Sequence, residues 1–202
     1  MSDKNSQNIE ISSKDTAENE FIDKCIEAFE KEVYEKKLNI LIWGPAEPAD
    51  DSDTYKVDTY KKRVDIREYL KKLGHNALFS EDISKETEKR RGYKPNPQVY
   101  EKIQIELADI AIMLRVSYGT IGEFHDFHNN PNYARKMCVY FDKEHKDGYT
   151  RKGADEIFVT MGGKLESFYY PNDITECNLR SKIENHIRKV QMVICMMPYK
   201  KY

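Results

Sequence analysis

Glu123 ends the stretch Ser117-Tyr118-Gly119-Thr120-Ile121-Gly122-Glu123, whose residue types could perform chemistry if a strand delivers them to a crevice. Gly119 and Gly122 would let a ligand approach the backbone, and Thr120 could cap a following helix. Unpaired amides at such a helix start favour anionic oxygens. Glu123 would then sit in the first helical turn as a reactive carboxylate, although a glutamate there is also a routine partner of the helix dipole. No Gly-Lys-Ser/Thr follows, so the stretch is not a phosphate-binding P-loop, and it does not match Gly-x-Gly-x-x-Gly.

Weaker candidates surround this one. Tyr118 could stack on a base or ribose, Trp43 could line a pocket floor, and Arg115 could contact phosphate; each such residue is more often packing or a surface group. Glu81 and Asp82 could hold hydroxyls or start a turn. Lys89-Arg90-Arg91-Gly92-Tyr93-Lys94 could receive phosphates, but solvated surface is the plainer reading. His125-Asp126-Phe127-His128 pairs two histidines without a third placed ligand, so no metal is expected.

These residues need a scaffold, and the apolar pattern supplies one. Leu38 to Trp43 reads as a buried strand ended by Gly44-Pro45, and Tyr55 to Leu73 as a helix stopped by Gly74. His75 to Phe79 is a short strand, Ser84 to Asn96 a polar excursion, and Val99 to Leu107 a helix. Asp109 to Leu114 is the strongest strand, followed by a helix through Glu123, Phe124 and Phe127. Further strands are expected at Lys136 to Phe141 and Leu165 to Tyr170, with helices at Ala154 to Met161 and Asp173 to Val193. Alternating strands and helices predict an α/β fold, a flavodoxin-like or Rossmannoid three-layer sandwich of about five parallel strands. In such sheets ligands bind beyond the carboxyl ends of the strands. That rule selects Trp43–Glu47 with Gly44 and Pro45, Ser80–Asp82, Arg115–Glu123 and Asp142–Glu144.

Residues 1–18 carry almost nothing to bury and read as a disordered polar leader. Residues 19–37 read as an added amphipathic helix, with Phe21, Ile22, Cys25, Ile26, Phe29 and Val33 at helical spacing. The α/β domain is expected over 38–202. A formal net charge of -2 makes nucleic acid an unexpected partner, since non-specific binding usually needs a basic surplus. Cys25, Cys138, Cys177 and Cys195 form no metal or disulfide pattern. With no signal-like or membrane-length apolar run, a reducing cytoplasm is the expected location.

Leu38 to Pro45, Lys62-Arg63-Val64-Asp65-Ile66-Arg67 with Leu70 and Gly74-His75, and Phe79-Ser80-Glu81-Asp82 together carry a resemblance. So does Ile105-Glu106-Leu107-Ala108-Asp109-Ile110 leading into Ser117 through Phe124. Over roughly residues 38–142 the chain resembles the nucleoside 2-deoxyribosyltransferase-like superfamily, which is related to NAD-cleaving TIR domains. The resemblance implies cleavage or exchange at an N-glycosidic carbon, with Glu123 attacking C1′ or stabilising its oxocarbenium-like transition state. It implies no cofactor, with NAD, a nucleoside or a nucleoside monophosphate as substrate, and a role as a bacterial antiphage effector. Glu101 stands where the family carries an aspartate that binds sugar hydroxyls or assists the base. Ser117 stands where the family has a further aspartate, a departure that counts against deoxyribosyl transfer in particular. A homo-oligomer or a partner effector subunit is expected, and a non-catalytic nucleotide sensor of the same fold is the alternative.

Overall fold

A computed structural model describes residues 13–50, 52–94, 96–144 and 149–196. In chain order the elements begin with α1 (Ser13–Tyr34), β1 (Asn39–Trp43), α2 (Thr54–Lys72), β2 (Asn76–Phe79), α3 (Ser80–Arg91) and α4 (Pro97–Leu107). They continue with β3 (Ile110–Arg115), α5 (Tyr118–Phe127), α6 (Pro131–Ala134), β4 (Met137–Asp142) and α7 (Tyr149–Thr160). The chain closes through β5 (Lys164–Phe168), α8 (Asn172–Thr175) and α9 (Asn178–Met196).

Five parallel strands form one sheet in the order β2-β1-β3-β4-β5. Ile42 pairs with Phe79 on one side and with Ile112 on the other, so β1 and β3 lie at the centre. Side chains alternate along each strand and feed two separate apolar layers. Leu41, Trp43, Ala111, Met113, Met137 and Val139 pack on one face with Ile105 of α4, Phe124 and Phe127 of α5, and Phe158 of α7. The other layer is tied by polar links: Arg180 of α9 pairs with Asp65 of α2 at 3.6 Å, and Lys182 donates to the Ser167 carbonyl of β5 at 3.2 Å. The architecture is the expected flavodoxin-like α/β sandwich.

One segment departs from expectation. Residues 84–91 belong to α3 rather than to a loop. This helix offers the core only Ile83 and is held by its charges. Glu81 and Asp82 occupy its first turn, Lys89, Arg90 and Arg91 its last, and Gly92 closes it in the left-handed conformation at φ 74°. Glu86 and Arg90, one turn apart, pair at 2.6 Å.

By compactness the chain divides into two units, residues 37–190 and residues 1–36 with 191–202. The sheet and all candidate site residues belong to the first. In the second, helix α1 starts at Ser13, so residues 13–18 are helical rather than part of a leader; residues 1–12 lie outside the described residues. There Gln191 donates to the carbonyls of Tyr34 and Lys36, at 3.1 and 2.8 Å, and Cys195 contacts the Glu32 carbonyl. Phe21, Ile22, Ile26 and Phe29 of α1 remain exposed. Among the described residues no helix is long and apolar enough to cross a membrane.

Candidate functional site

Strands β1 and β3 mark the switch in strand order: connections from β1 run toward one edge of the sheet and those from β3 toward the other. Their carboxyl ends therefore open a crevice that no crossover covers. Its floor is set by Arg63. Arg63 occupies the apolar stripe of α2 together with Thr59, Ile66 and Leu70, and is 1% exposed. Its guanidinium donates to the carbonyls of Ile42 (2.9 Å) and Pro45 (3.0 Å), which β1 leaves open as it ends. It also makes a bidentate pair with Glu81 at 2.6 and 2.7 Å and stacks over the Phe79 ring at 4.0 Å. Gly44 is explained by the same contact: a Cβ there would stand 2.6 Å from Arg63 Cδ. Gly44 makes room for a side chain of this protein, not for a ligand.

At the end of β3 the chain turns into α5 through Ser117, which is the N-cap. Ser117 Oγ accepts from the Thr120 amide at 3.4 Å, and Thr120 Oγ1 accepts from the Ser117 amide at 3.1 Å. This reciprocal capping box explains the Ser-x-x-Thr spacing. Ser117 thus takes the capping role expected of Thr120, and Thr120 is buried beneath it. The Cβ directions of Gly119 and Gly122 are open.

With Ser117 as N-cap, Glu123 falls in the second turn of α5 rather than the expected first, beyond the reach of the free amides at the helix start, and is acted on there by Arg63, Glu81, Glu101 and its own helix neighbour Asp126. Its Oε2 is buried and has no hydrogen-bond partner among the described residues. Burial, reinforced by the charge of Glu101 and then by Glu81 and Asp126, pushes its pKa up to about 8; Arg63 opposes the rise. Glu101, on α4, is itself raised, by burial first and by Asp126 second. Two carboxyl groups on different helices therefore share one electrostatic environment. At neutral pH Glu123 therefore holds its proton.

Beside this cluster lies a cavity of about 450 Å³, walled by the loop after β1, the start of α2 and the first turn of α5. Pro45, Tyr55, Thr59, Ser117, Tyr118 and Ile121 line it, with Glu47, Asp53 and Lys56 at its polar side. Glu123 is not among the lining residues: it follows Ile121 by two positions and so leaves the helix on another face. Pro45 links the two regions, since it lines the cavity while its carbonyl holds Arg63. The structure thus gathers Pro45, Ser117 and Tyr118 around the cavity, pairs Glu81 with Arg63, and sets both of these and Glu101 near enough to Glu123 to shift its titration. Tyr118 is 95% exposed at the mouth of the cavity.

Three expected contacts have other roles. Arg115 is buried, bonds Asp155 at 2.6 and 3.2 Å and lies over the Phe124 ring at 4.4 Å; it ties β3 to α7 and presents no free cation to a phosphate. Trp43 is 1% exposed and stacks on Phe127 with centroids 5.4 Å apart, so it belongs to the core. Asp82 pairs with Arg67 at 2.9 Å. His128 Nδ1 lies 2.9 Å from the carbonyl of His125, and no group of three or more potential metal ligands occurs among the described residues. Asp126 and Arg63 are the members that sequence reasoning missed. The available signal for Arg63 was a charged residue on the apolar stripe of a helix. Neither known family models nor curated proteins match the chain.

Proposed function

We propose that the protein cleaves, or transfers a sugar across, the N-glycosidic bond of a nucleotide-like substrate, NAD or a nucleoside or its monophosphate, with Glu123 as the reacting carboxyl group. The observation that carries this reading is the partnerless, buried Glu123 oxygen at the strand-order switch, surrounded by Glu101, Glu81 and Asp126. Breaking C1′–N leaves positive charge on the sugar, and a fixed negative environment in a water-poor site stabilises that charge as it develops. The protonated carboxyl can give its proton to the departing base nitrogen. It then stands as a carboxylate beside the oxocarbenium carbon, and recovers a proton from the water or base that adds at C1′. A leaving group already cationic, such as a pyridinium, needs no proton. Glu101, which helps to raise the Glu123 pKa, would meet a sugar hydroxyl or the base. The resemblance to deoxyribosyltransferase-like proteins agrees with this chemistry and adds the expectation of an antiphage effector.

The test is incubation with NAD, nucleosides and nucleoside monophosphates, with released bases detected by mass. Glu123→Gln is expected to abolish release while remaining folded. Release at the original rate by that variant removes Glu123 from the mechanism.

A second reading has its own observation. The cavity is lined by Ser117 and Tyr118 but not by Glu123, so a nucleotide could be held there without turnover. Calorimetric binding that Tyr118→Ala weakens, with the ligand recovered intact, selects this sensor reading over the enzyme.

A further inference from the structure

Helix α4 carries Glu101 on its inward side and something different on its outward one. Val99, Ile103 and Leu107, spaced one turn apart, are 58%, 41% and 75% exposed. Beside them a groove of about 380 Å³ runs between α4, α3 and the β1–β2 edge, walled by Leu78, Ile83, Tyr100, Ile103 and Leu107. A continuous apolar face of this kind on a folded unit marks an interaction surface.

The flanking charges say what covers it. Lys102 and Glu106 each precede a stripe residue by one position and so border the stripe on the same side. Both are exposed, and Tyr133 marks their shared flank: its hydroxyl donates to Glu106 at 2.8 Å and feels the Lys102 charge. When two identical helices pack antiparallel about a two-fold axis, like flanks meet and run in opposite directions. Lys102 then faces Glu106 of the second copy, and Glu106 faces its Lys102. A parallel arrangement would set this flank against Tyr100 and Gln104 and form no ion pair. A closed two-fold contact is also the commonest way in which one surface patch satisfies itself.

We infer that the protein forms a two-fold dimer through α4, with Val99, Ile103 and Leu107 packed antiparallel against their copies and two Lys102–Glu106 pairs closing one flank. Because α4 also presents Glu101 to the cluster around Glu123, the dimer braces the helix that supplies the second carboxylate.

Sedimentation across a dilution series of the full chain tests this by mass alone, independently of any turnover at Glu123. A dimer is expected with a dissociation constant in the micromolar range, roughly 1 to 100 µM. Ile103→Glu should abolish it. Lys102→Glu, which sets like charges face to face, should weaken it by about tenfold, and the charge swap Lys102→Glu with Glu106→Lys should restore it to within about threefold of the parent. Circular dichroism establishes that each variant is folded; should Ile103→Glu not fold, the two charge variants decide. A chain that stays monomeric throughout overturns the inference, as does a dimer indifferent to Ile103→Glu. A charge swap no better than Lys102→Glu alone overturns the antiparallel register.

Discussion

A carboxylic acid that keeps its proton to about pH 8 leaves two independent signatures. Its folded pKa lies above the ordinary 4.5, so the stability it lends is complete below 4.5 and is lost as pH rises through about 8. Glu123→Gln cannot ionise and is expected to be more stable than the parent at alkaline pH by on the order of 2 kcal/mol, read as a higher unfolding temperature, with the gap closing in acid. Equal melting curves at both ends of that range would show that the side chain is solvated. The second signature is kinetic: base release should carry an apparent pKa near 8, read from kcat/KM against pH, and Glu101→Gln should move it downward because the neighbouring charge is gone. At this scale the sequence was informative where backbone chemistry constrains it. Serine, threonine and two glycines after an apolar strand mark the start of α5 at Ser117, although Glu123 falls in its second turn rather than its first. For Arg63 it offered only a charge on the apolar stripe of α2 and nothing of its partners, the carbonyls of Ile42 and Pro45 and the carboxylate of Glu81, which lie elsewhere in the chain.

Among the elements, α2 and β1 depend on each other through Gly44 and Arg63. Gly44→Ala should destabilise the protein by about 1–3 kcal/mol, because the new methyl group meets Arg63 Cδ rather than open space. Chemical denaturation checks this, and combining it with Arg63→Met should recover part of the loss. The join of β1 to β2 has a pH limit. His75 is buried, and its Nδ1 accepts from the Leu38 amide at 3.3 Å, which only a ring unprotonated at that atom can do. Burial, then the Lys37 charge, lowers its pKa below 6.5, so its contribution is complete above 6.5 and is lost as pH falls through the lower folded value. Thermal unfolding of His75→Gln, an acceptor that does not titrate, should depend less on pH below 6.5 than that of the parent. Helix α3 escaped the sequence reading for a related reason: periodic apolar residues are the main helix signal, and this helix has almost none. Its acidic start, basic end and Gly92 were present in the sequence and would have found it.

For the molecule as a whole, the strand order 2-1-3-4-5 follows from strands that alternate with helices and from right-handed crossovers, and both were legible in the apolar runs. The division of the last helix between two compact units was not, because α9 reads as one uninterrupted amphipathic stretch. Every residue of β3 is buried, whereas β2 and β5 have one neighbour each. Amide exchange should therefore be slowest in β3 and faster in the two edge strands; equal protection across the sheet would contradict the ranking.

The fit between Gly44 and Arg63 also bears on ancestry. A side chain at position 44 is tolerable only if position 63 has first become shorter, and a shorter residue there abandons the carbonyls of Ile42 and Pro45. Descendants of a common forerunner that keep the crevice should therefore hold both residues, and drift at either position should be seen only where the other has already changed.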